Sequence, residues 1–103
     1  MVINEPLQQG NIIKIERIKH PVLVTSKNFF NQTGFIIGCP IFKESTDGPL
    51  HIKIQTEDIV GFVQCENITL LDLNIRGYSV IDRISLSDIM DITDAIQGIF
   101  DYI

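Results

Sequence analysis

Cysteine is scarce in this 103-residue chain: Cys39 and Cys65 stand far apart and form no Cys-x-x-Cys pair. That spacing argues against a disulfide framework or a cysteine metal site and points to two reduced, packed thiols. Long hydrophobic runs are missing too, and none approaches the ~18 residues a membrane-spanning helix needs. The first residues lack the charged, apolar and small-residue sections of a secretory signal. Together these absences predict a cytoplasmic protein. There is no glycine-rich phosphate loop and no nucleophile elbow, which removes the commonest nucleotide-binding and hydrolase signatures. No internal repeat, low-complexity tract or linker divides the chain, so a single domain over residues 1–103 is expected, burying roughly two thirds of its unfolded surface.

What is present is ordinary in amount and uneven in placement. Apolar residues make up 45% and charged residues 20% of the chain, as in folded globular proteins. Residues 1–53 hold six basic and four acidic side chains, a net +2, whereas residues 54–103 hold two basic and nine acidic, a net −7. This polarity suits a nucleic acid or an acidic peptide on the N-terminal side only. A solvated acidic helix near the C-terminus accounts for the rest equally well.

Two apolar runs, Val22–Val24 and Phe35–Ile41, flank the polar segment Ser26–Gly34 and read as neighbouring strands at the middle of a sheet. The Phe35–Phe42 run is nearly continuous, the pattern of a strand covered on both faces. Pro40 interrupts its ladder and predicts a bulge or bend near Gly38–Pro40. Between the two runs, Lys27–Gly34 suits one helical turn closed by a glycine in the left-handed region. Upstream, Asn11–Arg17 alternates with the period of a half-buried strand, and Met1–Gly10 reads as a loosely attached arm.

Downstream, Lys43–Pro49 is an exposed loop rich in turn residues. Leu50, Ile52 and Ile54 alternate with His51, Lys53 and Gln55, so the latter three should face solvent. Ile59–Cys65 forms a further strand in which Gly61 marks a close backbone approach. Glu66–Asn74 reads as a connection anchored by Leu70, Leu71 and Leu73, and Ser79–Ile84 as a short edge strand. Ser85 then caps a helix, its hydroxyl placed to accept the N–H of Asp88. Leu86, Ile89, Met90, Thr93, Ile96, Ile99, Phe100 and Ile103 recur at helical spacing and predict its buried stripe. The expected fold is mainly β: five or six antiparallel strands curled into a small SH3-like barrel, with the C-terminal amphipathic helix docked on it.

Four segments, in order, resemble the MazF/PemK (Kid) toxins of bacterial toxin–antitoxin modules. Gln9-Gly10-Asn11-Ile12-Ile13 is similar to that family's Gly-Asp-Ile-Val opening, and Lys19-His20-Pro21-Val22-Leu23-Val24 to its Arg-Arg-Pro-Ala-Leu-Val. Gly38-Cys39-Pro40-Ile41 is similar to Val-Cys-Pro-Ile, and Gly61–Asp72 to Gly-Val-Val-Leu-Ala-Asp-Gln-Val-Arg-Ser-Leu-Asp. The resemblance implies an SH3-like barrel, a homodimer, an antitoxin with an extended acidic tail, and cleavage of single-stranded RNA through the substrate's own 2′-hydroxyl. That reaction needs a base, an acid and cationic stabilisation of the phosphorane-like charge, and implies no metal or cofactor. The chain departs from the pattern at named positions. His20 replaces an Arg, Phe42 a Thr and Thr69 an Arg, and a loop before the Pro is lost.

His20, whose imidazole can take or give a proton, and Lys19, which can face a phosphate, are the expected catalytic groups, working with Ser45 or Thr46. Lys43, Asn67 and Thr69 are the expected RNA contacts. The plainer reading of His20 is a cap on a tight turn before Pro21, with Lys19 merely solvated. His51 is expected to be solvent-exposed. Phe29 and Phe30 are expected to plug one barrel end, or else to stack on bases. The departures also leave open a barrel that binds an antitoxin-like peptide without cutting RNA. A gyrase poison of the CcdB type is a third reading, although this chain ends Asp101-Tyr102-Ile103 rather than Trp-Gly-Ile.

Overall fold

Val22–Val24 (β2) and Phe35–Phe42 (β3) pair antiparallel at the centre of the sheet, with Leu23 opposite Cys39. The computed structural model describes residues 7–46 and 48–101. Within these, Asn11–Ile15 (β1) lies outside β2, and Tyr78–Arg83 (β7) lies outside β1 as an edge strand. On the other side of β3 come Val60–Gln64 (β5) and then His51–Gln55 (β4). A seventh strand, Thr69–Asp72 (β6), also pairs with β3. Asn28–Asn31 (α1) sits between β2 and β3, and Leu86–Phe100 (α2) ends the fold. The sheet curls far enough that Thr56, just after β4, donates its hydroxyl to Asp82 of β7 at the opposite end of the strand order. The result is the expected small antiparallel barrel, partly closed and backed by a C-terminal helix.

The central strand behaves differently from expectation at Pro40. β3 keeps an unbroken register with β2 through Gly38, Cys39 and Pro40, with no bulge. The irregularity falls on its other edge, where Phe35–Gly38 pair with β6 while Ile41 and Phe42 pair with β5. The N–H of Ile41 donates to the carbonyl of Pro21 on the β2 side, so strand alternation turns the Pro40 nitrogen toward the edge that changes partner. A residue without an N–H loses nothing there. The expected bend is therefore a fork between β5 and β6.

Alternation also sends alternate residues of the central strands into two apolar clusters. Ile12, Leu23, Cys39, Ile41, Ile54 and Val63 pack on one face with Ile84 and Ile92 of the C-terminal segment. Ile13, Ile15, Val22, Val24 and Ile36 pack on the other with Leu7 and Leu73. Coverage on both faces is why the β3 run is nearly continuously apolar. Gly61 lies so close to β3 that a Cβ there would stand 2.9 Å from the Phe42 carbonyl oxygen, the close approach expected of it.

Several expectations are corrected. Residues 7–10 are not a loose arm: Leu7 is buried, Gly10 N–H donates to Val24 O, and Gly10 O accepts from Ile84 N–H; residues 1–6 lie outside the described set. Glu66–Asn74 is more than a connection, because β6 occupies its middle. Its pattern fails to announce a strand because Thr69 and Leu70 both lie exposed. The buried side of α2 is led by Ile92, with Ile89, Ala95 and Ile96 packed beside it. Leu86, Met90, Ile99 and Phe100 remain exposed, Met90 on the side away from Ile92, since a helix offers the barrel only about one apolar stripe; Ile103 lies outside the described residues. Phe29, 75% exposed, plugs nothing. The Ser85 cap and the left-handed Gly34 at φ 88° are as expected.

One buried polar side chain holds the α1 corner. Asn31 donates to the carbonyls of Leu7 and Ser26, both at 3.0 Å, and its amide oxygen accepts from the Ser26 hydroxyl. Asn31→Ala strips these partners and should cost about 2 kcal/mol, read as a lower urea midpoint at unchanged slope. Burial pushes the Cys39 thiol up to about 12 and the Cys65 thiol to about 11. Both thiols should resist alkylation in the native protein and react only on denaturation, counted by mass spectrometry.

Candidate functional site

The fork in the sheet leaves a cavity of about 270 Å³ on the face that carries Val22, Gly38 and Pro40. These three form its floor, and Gly38 keeps it open by having no side chain. Ile18 and Leu71 are its apolar walls, and His20, Asn67 and Thr69 supply its polar groups. Each position follows from local structure. His20 ends the three-residue link before Pro21, whose carbonyl ties to β3. Thr69 opens β6 directly opposite Gly38. Asn67 sits in the β5–β6 turn, where its amide donates to Gln64 Oε1 and its oxygen accepts from the Thr69 hydroxyl.

His20 is half-buried. Its ring lies 4.8 Å from that of Phe42 at a tilt of 59°, and its Nδ1 is 3.3 Å from the Pro21 carbonyl oxygen. Phe42 thus forms the backing of His20, so two departures noted in the sequence touch one another, and the third, Thr69, lines the same cavity. Lys19 precedes His20 in the link and Lys43 follows Phe42; both are exposed.

Ser45 and Thr46 do not gather on His20. They converge on His51, which the sequence pattern assigned to solvent. The His51 side chain is only 13% exposed. Its Nδ1 lies 2.6 Å from the Thr46 carbonyl oxygen and 2.8 Å from Ser45 Oγ, and its Nε2 lies 2.7 Å from Glu66 Oε2. The Ser45 hydroxyl itself donates to the Thr46 carbonyl at 3.0 Å. A carbonyl can only accept, so Nδ1 carries a proton, and the carboxylate at Nε2 draws a second. The Thr46 carbonyl foremost, then Glu66, raises the His51 pKa above its ordinary value. Glu66 is held below the usual carboxylate range by its own backbone N–H first and by His51 second. Strand alternation did send His51 to the outer face; what covers it is the loop folding back, which no local pattern in the sequence encodes. Among the described residues, no cluster of three or more His, Cys, Asp or Glu side chains gathers as a metal site would.

The sequence model of the PemK-like, MazF-like toxins of type II toxin–antitoxin systems matches residues 6–100. The chain belongs to this family. A comparison with curated protein sequences finds no significant match. Among solved structures, the toxin resembles a MazE–MazF complex chain from Deinococcus radiodurans, with a TM-score of 0.86 at 15% identity over 97% of this chain and 100% of that one. It also resembles an endoribonuclease from a mycobacterial species, at 0.79 and 17% over 91% and 90%. A third relative is a mycobacterial endoribonuclease in complex with its cognate antitoxin, at 0.77 and 16% over 96% and 100%. Identities this low bear on the fold, which the toxin shares along nearly its whole length.

The His51–Glu66 pair sets a pH window for the toxin's stability. The raised His51 pKa contributes stability that is present below its unfolded value and lost as pH rises through the folded one. The lowered Glu66 pKa contributes stability present above its unfolded value and lost as pH falls through the folded one. Thermal melts should therefore show a component that is largest at mildly acidic to neutral pH and fades on both sides. Glu66→Gln should flatten the dependence in this range.

Proposed function

We propose that the toxin is a cytoplasmic endoribonuclease that cleaves single-stranded RNA at the forked-sheet cavity, works as a homodimer and is restrained by an antitoxin peptide. One observation carries this reading: in a chain of this family, His20, Asn67 and Thr69 open onto one cavity, and the exposed cations Lys19 and Lys43 are the chain neighbours of His20 and of Phe42, which backs it. The relatives named as endoribonucleases, one of them with its antitoxin, support the same activity.

In the reaction the 2′-hydroxyl of the substrate attacks the adjacent phosphorus, the 5′-oxygen of the next nucleotide leaves, and a 2′,3′-cyclic phosphate forms. The imidazole of His20 serves as the proton-transfer group, because its ring can take or give a proton and it lies at the cavity wall. Lys19 offsets the charge that grows on the phosphate oxygens. Asn67 and Thr69 offer an amide and a hydroxyl to a base or ribose, while Ile18 and Leu71 give a base an apolar wall. Ser45 and Thr46, engaged with His51, support the cavity rim rather than reacting. The uncovered apolar side chains Leu86, Met90 and Phe100 of α2, together with Val80 and Ile81 of β7, support self-association.

Purified toxin incubated with a long single-stranded RNA in the presence of a chelator should yield fragments ending in 2′,3′-cyclic phosphate. His20→Ala should slow that cleavage by about 100-fold or more, with the melting temperature little changed. RNA that stays intact across varied sequences, from folded protein, overturns the reading.

A further inference from the structure

His51 belongs to neither the cavity nor the core, yet its ring carries three hydrogen-bond contacts. It joins two segments at a distance from their one recorded backbone bond, Cys65 N–H to Leu50 O. One is the loop between β3 and β4, through the Thr46 carbonyl and the Ser45 hydroxyl. The other is the β5–β6 turn, through Glu66. Both segments adjoin residues of the candidate site. The loop starts at Phe42, which backs His20, and the turn continues from Glu66 into Asn67 on the cavity rim.

We propose that His51 is a positioning residue of the ribonucleolytic site: as an imidazolium it clasps the 43–50 loop to the β5–β6 turn and so fixes Glu66 and Asn67 where an RNA strand crosses the cavity. This role deepens the ribonuclease reading and rests on it. Glu66 is 43% exposed, with Oε2 committed to His51. Bare, that carboxylate would repel a phosphate backbone passing Asn67; paired with an imidazolium it would not. The protonated ring has two N–H donors for two acceptors in different segments. A neutral ring has one, so if it keeps Glu66 it must give up the Thr46 carbonyl and hold the loop only by accepting from the Ser45 hydroxyl. Losing the proton therefore loosens the clasp and uncovers the negative charge of Glu66 in a single step.

The groups facing the ring bear this out. Glu66 is the only charged side chain recorded against it among the described residues. The Thr46 carbonyl, the Ser45 hydroxyl and Gly48 on the loop side are neutral, as is Gln64, its register partner in β5. Lys53, two residues along β4, is exposed and engages in no recorded contact with it, and Asp47 lies outside the described residues.

The test measures kcat and KM for RNA cleavage from mildly acidic to mildly alkaline pH, in the wild type, His51→Gln and Glu66→Gln. In parallel, the His51 ring is titrated by NMR. Wild-type kcat should fall as pH rises through the His51 pKa, and that pKa should drop in Glu66→Gln. His51→Gln should lower kcat on the order of 10- to 100-fold below that pH, the cost of a small misplacement at the site. It should also abolish the alkaline fall, while KM moves by less than kcat does. A His51→Gln protein that melts lower but keeps the wild-type kcat and pH profile overturns the proposal, because the residue is then only a brace. An active wild type whose His51 titrates at an ordinary value, unmoved by Glu66→Gln, overturns the clasp alone. Folded wild type inert on every RNA instead overturns the ribonuclease reading and takes this role with it.

Discussion

The missing N–H of Pro40 is the constraint on which the rest of the architecture depends. A strand at the centre of a sheet must satisfy both edges, and β3 does so with β2 on one side. On the other it needs two partners, β6 along Phe35–Gly38 and β5 along Ile41–Phe42. Between them lies a gap that an ordinary residue would fill with an unsatisfied donor, at a cost of roughly 1–3 kcal/mol for a buried group. Proline has no donor to leave unsatisfied. The gap is therefore tolerated, the two branches diverge, and the sheet curls until Thr56 reaches Asp82. The cavity lies in that divergence, floored by Gly38 and Pro40 themselves.

Because the cavity lies in the fork, changes made far apart in the chain act on one place. His20 comes from the link before β2, Phe42 from the end of β3 and Thr69 from the start of β6. These are the three polar positions at which the chain departs from the familiar toxin pattern. In the structure the rings of the first two meet at a tilt, and His20 and the third line the same cavity. A planar cation and a hydroxyl are thus exchanged for a titratable ring on an aromatic support. Phe42 cannot supply the hydrogen bond a threonine would, but it gives His20 a fixed orientation, and an oriented imidazole is the more useful proton donor or acceptor.

A second consequence concerns charge. Four of the nine acidic residues of 54–103, Asp88, Asp91, Asp94 and Asp101, lie along or at the end of α2, whereas Lys19 and Lys43 adjoin His20 and Phe42 in the chain. Glu66, next to Asn67 on the cavity rim, is paired in place with His51. An acidic protein can in this way present a face that a phosphate backbone can approach, without carrying a net positive charge.

Periodicity and punctuation in the amino-acid sequence announced, to within two residues at each end, the strands observed at 11–15, 22–24, 35–42, 51–55, 60–64 and 78–83, together with the α1 turn closed by Gly34 and the Ser85-capped helix. Each is set by neighbours within a few residues, and the ordered segments around Pro21, Pro40 and Gly61 carried the family as well. His20, Asn67 and Thr69 were legible as candidates for that reason. Tertiary structure alone decided that residues 69–72 form a strand, that Leu7 is buried, and that Ile92 rather than Met90 leads the buried side of α2. It alone also brought Ser45 and Thr46 to His51 instead of His20. The physical reason is the same each time: a half-exposed strand or a helix flank acquires its meaning from what packs on it, and a hydrogen bond spanning fifteen residues, such as His51 to Glu66, leaves no periodic trace in either segment it joins.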